Sequence, residues 1–68
     1  MAEGDRASFF TVRDVAQMLS IGEALVRRLG RRSDRPLPTV RLDRIVRIPR
    51  DALADWLAAE IAERERRG

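Results

Sequence analysis

The chain has no cysteine, histidine, tyrosine or lysine, and its only aromatics are two phenylalanines and one tryptophan. Without cysteine there are no disulfide staples, and without cysteine or histidine a zinc site lacks its usual ligands. No metal or other cofactor is expected. The commonest general bases and nucleophiles are missing with them. Ser8, Ser20 and Ser33 have no activating base in sequence context, and no glycine-rich phosphate loop exists. Asp51 and Asp55 stand at i, i+4, the pattern of an ordinary solvated helix face. No catalytic role is expected. No apolar run approaches the roughly 18 residues of a membrane span. The polar opening MAEGDRAS lacks the apolar stretch of a secretory leader, and absent cysteine agrees with a reducing compartment. A small cytoplasmic protein is expected.

At 68 residues the chain holds one domain at most, near the lower limit for folding without staples. Its net charge of +3 conceals a strong asymmetry. Residues 27–50 carry nine arginines against Asp34 and Asp43, a net +7; the other residues carry five arginines and nine acids, a net −4. One basic block between acidic flanks is the electrostatic footprint of a polyanion-binding surface. All fourteen basic residues are arginine. Guanidinium suits phosphate and guanine recognition, but coding bias in a G·C-rich genome accounts for missing lysine equally well, so nothing is drawn from it.

Residues 1–8 read as a disordered lead-in. "FFTVRDVAQML" then carries a helix start: Thr11 and Asp14 form a capping box, and Phe10 and Val15 occupy the two positions of a hydrophobic staple. Val12, Val15, Ala16 and Leu19 follow at helical spacing, predicting a helix over 12–19. In "SIGEALVRRLG" a second helix starts after Ser20 and Gly22. Gly22, Leu25, Val26 and Leu29 share one face; Ala24, Arg27, Arg28 and Arg31 share the opposite one, with Gly30 marking the end.

Taken alone, the arginine stripe is an ordinary solvated face. The spacing of the two helices changes that. Small Ala16 permits a close crossing, Ile21 plugs the turn and Val26 faces the first helix, which is helix-turn-helix spacing. In that motif the second helix enters the major groove. Ser20 stands where such turns favour glycine for its positive φ.

"GRRSDRPLP" is a loop anchored by Leu37, in which Arg31, Arg32 and Arg35 touch phosphates or are simply solvated. In "VRLDRIVRIPR", Val40 and Leu42 alternate on one strand and Val46 and Ile48 on the next. Placing all four on one face requires Leu42 opposite Val46, Val40 opposite Ile48 and a three-residue loop, Asp43-Arg44-Ile45. Arg41 then faces Arg47 across the outer side, with Arg44 at the tip. Such like-charge pairing is unfavourable in a hairpin but tolerable where it meets a polyanion. A two-residue loop would pair Val40 with Arg47 and turn that arginine inward. The hairpin reads as a basic wing.

Pro49, at the first helical position, and Asp51 open a third helix whose apolar stripe is Leu53, Trp56, Leu57 and Ile61, with Trp56 the largest core candidate. Glu60/Arg64 and Glu63/Arg67 stand at i, i+4 in its tail, whose mixed signs argue against a membrane surface.

Together, "FTVRDVAQMLSIGEALVRRL" and "LPTVRLDRIVRIPRDALADWL" resemble the small winged helix-turn-helix proteins of the excisionase family, related to MerR-type DNA-binding domains. The resemblance spans residues 10–57, and "VRLDRIVRIPRDAL" is its most specific part. Gly22 stands where the family usually has a capping serine, Glu23 where a basic or polar residue is common, and Asp43 where the wing usually has glycine. The resemblance implies a mainly α fold of order α-α-β-β-α, with lead-in 1–8, a winged helix-turn-helix over 9–62 and a charged tail or helix end over 63–68. It implies a recombination directionality factor of a phage or integrative element, which binds and bends attachment-site DNA and works with a tyrosine- or serine-type integrase. Cooperative self-association on DNA goes with it. The expected DNA contacts are Glu23, Ala24, Arg27, Arg28 and Arg31 from the helix and Arg41, Arg44 and Arg47 from the wing. The chain stops soon after its third helix, without the effector domain and long dimerisation helix of a MerR regulator, and a stand-alone transcriptional regulator of the same fold is the alternative. A protein-binding adaptor, using the basic block on an acidic partner, is a further reading.

Overall fold

In the computed structural model, which describes residues 8–68, the order is β1 (Phe9–Phe10), α1 (Val12–Leu19), α2 (Glu23–Gly30), β2 (Val40–Leu42), β3 (Ile45–Pro49) and α3 (Arg50–Arg67). The lead-in lies outside the described residues except for Ser8, whose carbonyl accepts the Arg50 N–H at 2.9 Å. This is a winged helix-turn-helix, mainly helical, with one strand more than expected. β1 pairs antiparallel with β3, making a three-stranded sheet of order β1-β3-β2. Two adjacent phenylalanines carry no alternation by which a strand is read, so β1 has no periodic signal.

The start of α1 is as expected. Thr11 Oγ1 accepts the Asp14 N–H at 2.9 Å, and an Asp14 carboxylate oxygen accepts the Thr11 N–H at 3.0 Å, satisfying two otherwise orphaned donors. That bond from the Thr11 backbone N–H is the main reason the Asp14 carboxyl titrates below its usual range. Ser20 ends the helix in the left-handed region, at φ 58° and ψ 45°. Its N–H reaches the Gln17 carbonyl at 3.3 Å and the Ile21 N–H reaches that of Ala16 at 2.9 Å, the paired bonds of a Schellman turn. The turn delivers α2 with Val26 buried against the core, which also holds Val12, Val15, Ala16, Leu37, Ile48, Leu53 and Trp56.

The wing departs from its expected register. Val40 pairs with Arg47, Arg41 with Val46 and Leu42 with Ile45, leaving a two-residue loop, Asp43-Arg44. The expectation failed because it required four apolar residues to share one face. They do not: Ile48 is fully buried and Val46 packs beside it, whereas Leu42 is 57% exposed. Asp43 enables the tight loop by adopting φ 60°, since two-residue hairpin loops need a positive φ that Asp tolerates better than most side chains. Arg41 and Arg47 therefore lie on opposite faces of the ribbon rather than facing each other, and no direct arginine pair strains the hairpin.

Pro49 closes β3 and serves as N-cap of α3, one position before the expected one. The helix runs on through the tail to Arg67. Leu53 and Trp56 are buried and Leu57 half-buried, but Ile61 is 55% exposed and leaves the expected stripe, while the loop covers the neighbouring face of α3 at Glu60 and Glu63. Both expected tail ion pairs form, Glu60–Arg64 at 3.9 Å and Glu63–Arg67 at 3.1 Å.

The loop after α2 is clamped rather than free. Leu37 is buried, and its N–H bonds the Leu29 carbonyl at 2.9 Å. Arg32 donates to Glu60 Oε2 at 2.6 Å, to the Arg35 carbonyl at 2.9 Å and to the Asp34 carbonyl at 2.7 Å. Its guanidinium lies 5.6 Å from the Trp56 ring centroid, a cation–π distance. Arg35 reaches Glu60 as well, at 3.4 Å. Both arginines are thus engaged within the domain rather than simply solvated, and they hold the loop, and with it the end of α2, against α3.

Candidate nucleic-acid interface

α2 and its C-cap present Glu23, Ala24, Arg27, Arg28 and, at the cap, Arg31 to solvent, all exposed as the two-stripe pattern requires. Gly22 caps it without a side-chain bond, so this helix start lacks the cap that serine would give. Glu23 and Arg27 form an exposed ion pair at 3.7 Å across one helical turn. Pairs of this kind stabilise little, about 0.3–0.5 kcal/mol, so Arg27 is readily released to a stronger anion.

Two grooves flank Arg27. One, between α2 and the inner side of the wing, brings Arg27 together with Arg31 and Arg41 over a floor of Val12, Val26 and Val46. Arg41 was expected on the outer face. The two-residue loop places it on the inner one, beside Val46, and that turns it toward the α2 arginines. The other groove runs between the start of α2 and the wing tip, where Arg27 is joined by Arg13, Arg44 and Arg47, with Glu23 and Ile45 also on its walls. Arg47 also donates to the carbonyl of Val46 at 2.9 Å, which fixes its head at the wing surface. Five of the eight expected contacts thus converge with Arg13 along one surface: Arg27, Arg31, Arg41, Arg44 and Arg47. Glu23 sits at its edge, while Ala24 and Arg28 lie on the outward face of α2 and line neither groove.

A family model described as a helix-turn-helix domain matches residues 9–60. The chain belongs to this helix-turn-helix family. No curated protein and no solved structure gives a significant match. Helix-turn-helix domains bind DNA through their second helix, and membership supports DNA as a partner. Among the described residues no helix is long and apolar enough to cross a membrane.

Arg13 is the candidate that sequence reasoning missed. It occupies the first turn of α1, the helix that crosses the DNA backbone in helix-turn-helix domains. A single arginine between Val12 and Asp14 carries no pattern; only the folding of the wing beside α1 makes it part of the basic groove. Around the domain the charge is divided by use. Arg32 and Arg35 are ion-paired with Glu60 and Glu63 behind α2, whereas Arg28, Arg31, Arg41 and Arg44 make no ion pair among the described residues. Unpaired guanidinium groups are the ones able to release counterions from a phosphate backbone.

Proposed function

We propose that this helix-turn-helix domain is a sequence-specific, non-catalytic DNA-binding protein of the cytoplasm that acts as an excisionase of a phage or integrative element. In this reading α2 lies in the major groove, with Arg27, Arg28 and Arg31 toward the bases and phosphates and Ala24 and Glu23 at its leading edge. Glu23 can accept a hydrogen bond from cytosine N4. Arg44 and Arg47 of the wing, Arg41 at its base and Arg13 of α1 grip the backbone on either side. The observation that carries the DNA reading is the convergence of α1, α2 and wing arginines on grooves that share Arg27. The excisionase assignment is supported by the wing-to-helix segment "VRLDRIVRIPRDAL" and by the helix-turn-helix family itself, which excisionase-like small DNA-binding proteins share.

One recognition helix and one wing read only a short site. Several copies on adjacent repeats, bound cooperatively, lengthen it. A row of them favours bent DNA at a deformation cost of order 1–6 kcal/mol per site, and the bend brings distant integrase sites together. The experiment mixes the purified protein, the cognate integrase and paired attachment sites, and measures excision against integration. Excision should rise and integration fall. If both rates stay unchanged while a nearby promoter is repressed or activated, the protein is a stand-alone regulator of the same fold.

A further inference from the structure

The exposed large apolar side chains among the described residues are Phe9, Met18, Leu42, Ile45 and Ile61. Five different elements carry them, and strand pairing brings two together. Leu42 and Ile45 are direct cross-strand partners, the last pair before the Asp43-Arg44 loop, 57% and 49% exposed. Hairpin pairing does not demand this, because threonines or opposite charges stabilise an exposed pair as well. An apolar pair at the tip of a short edge strand is ordinarily an aggregation hazard, which points to a surface that covers it.

The surroundings identify that surface. Arg41 precedes Leu42, Arg44 precedes Ile45, and Arg47 lies two residues beyond Ile45 on the same face; Asp43 is the one acid in the hairpin. Ile45 also lines the groove shared by Arg13 and Arg27, so the pair is continuous with the surface assigned to DNA. A partner that satisfies both features is a polyanion with apolar surface between its charges. In duplex DNA that surface is the sugar edges and base faces of the minor groove, reached between flanking phosphates. Aliphatic side chains inserted there unstack base steps and kink the duplex, most cheaply at pyrimidine–purine steps.

We propose that Leu42 and Ile45 form an apolar wedge that enters the minor groove at a flexible base step, with Arg44 and Arg47 on the adjacent phosphates. The proposal rests on the DNA-binding reading above and supplies it with a bending device located in a single copy.

The test uses the full chain and two end-labelled duplexes of roughly 30 base pairs, a length over which bends are readily resolved. One has a central TA step, the other a central stiff A-tract. Energy transfer between the ends reports the bend, and affinity is measured across a salt series. The unaltered protein should bend the TA duplex and bind it about tenfold more tightly than the A-tract duplex, since burying one aliphatic side chain is enough for that ratio. Leu42→Ser/Ile45→Ser should lose the bend and the preference while keeping the salt slope, because no arginine is touched. Leu42→Met/Ile45→Met, which preserves an apolar tip, should retain both. Unchanged bending by the serine variant overturns the wedge. So does a serine variant that bends normally but loses cooperative spreading on longer DNA, which would make the pair a contact between copies. A protein whose affinity for both duplexes is independent of salt loses the DNA reading itself, and the wedge with it.

Discussion

Trp56 donates its indole N–H to the backbone carbonyl of Arg35 at 2.9 Å, and Arg35 holds that carbonyl in place from a left-handed backbone of φ 51°. The same carbonyl accepts from Arg32 at 2.9 Å, whose guanidinium lies over the Trp56 ring. One side chain of α3 thus fills the core and pins the loop that terminates the recognition helix.

Trp56→Ala should cost roughly 3–5 kcal/mol, the usual range for losing a buried aromatic, and leave much of so small a domain unfolded. Trp56→Phe keeps a ring but removes the donor. Because the Arg35 carbonyl retains its bond from Arg32, that change should cost only about 1 kcal/mol. Urea denaturation followed by circular dichroism separates the two; equal, near-zero losses would show a Trp56 without a core role.

Glu60 carries a pH signature. The hydrogen bond from Arg32, chiefly, and that from Arg35 hold its carboxyl below the ordinary range, even against the desolvation that opposes them. The folded form therefore binds fewer acid-range protons than the unfolded chain. The stabilisation is fully present above the unfolded pKa and is lost as pH falls through the folded one. Glu60→Gln should lower the urea midpoint near about pH 7, and its deficit should shrink by about pH 3 as the carboxylates protonate. A deficit of the same size at both pH values would contradict the ion-pair clamp.

Ser20 occupies φ 58° where a side chain is disfavoured. Ser20→Gly relieves that strain but loosens the unfolded chain. The balance should favour the variant by about 0.5–1 kcal/mol, since left-handed backbone costs a non-glycine residue about 1–2 kcal/mol. A thermal melt that falls instead of rising would mean the serine side chain contributes an interaction the turn needs.

How much of this was legible without coordinates depended on whether the signal was local. The α1 cap, the Ser20 turn and the two faces of α2 follow from adjacent residues, and each stands as expected. The wing register did not. It turns on whether Asp43 accepts a positive φ, and apolar alternation pointed to the wrong answer because Leu42 and Ile45 face solvent. Ile61 matched the stripe of α3, but helical spacing does not reveal which side of the helix its neighbours cover. The roles of Arg32 and Arg35 were invisible because their partner, Glu60, lies far along the chain. Arg13 entered the site for a similar reason, through the fold alone.

The division of arginines separates binding from stability. Arg44→Ala should leave the melt unchanged and reduce the magnitude of the salt slope of DNA binding by about 1, the effect of one lost phosphate contact. Arg32→Ala should do the reverse, lowering stability with the slope intact. Arg27→Ala and Arg28→Ala should change which sequences are preferred if their side chains reach base edges. Equal losses on specific and random duplexes would reduce both to phosphate contacts.

The central claim is that the unpaired arginines of α2 and the wing exist to meet a nucleic-acid backbone. The direct measurement is affinity for duplex DNA against salt concentration, by fluorescence anisotropy. With about six phosphates neutralised, log K should fall against log salt with a slope of roughly −5. An Arg41→Ala/Arg44→Ala double variant should flatten that slope by about 2 while remaining folded. A wild-type slope near zero, or a double variant with the full wild-type slope, would contradict the account.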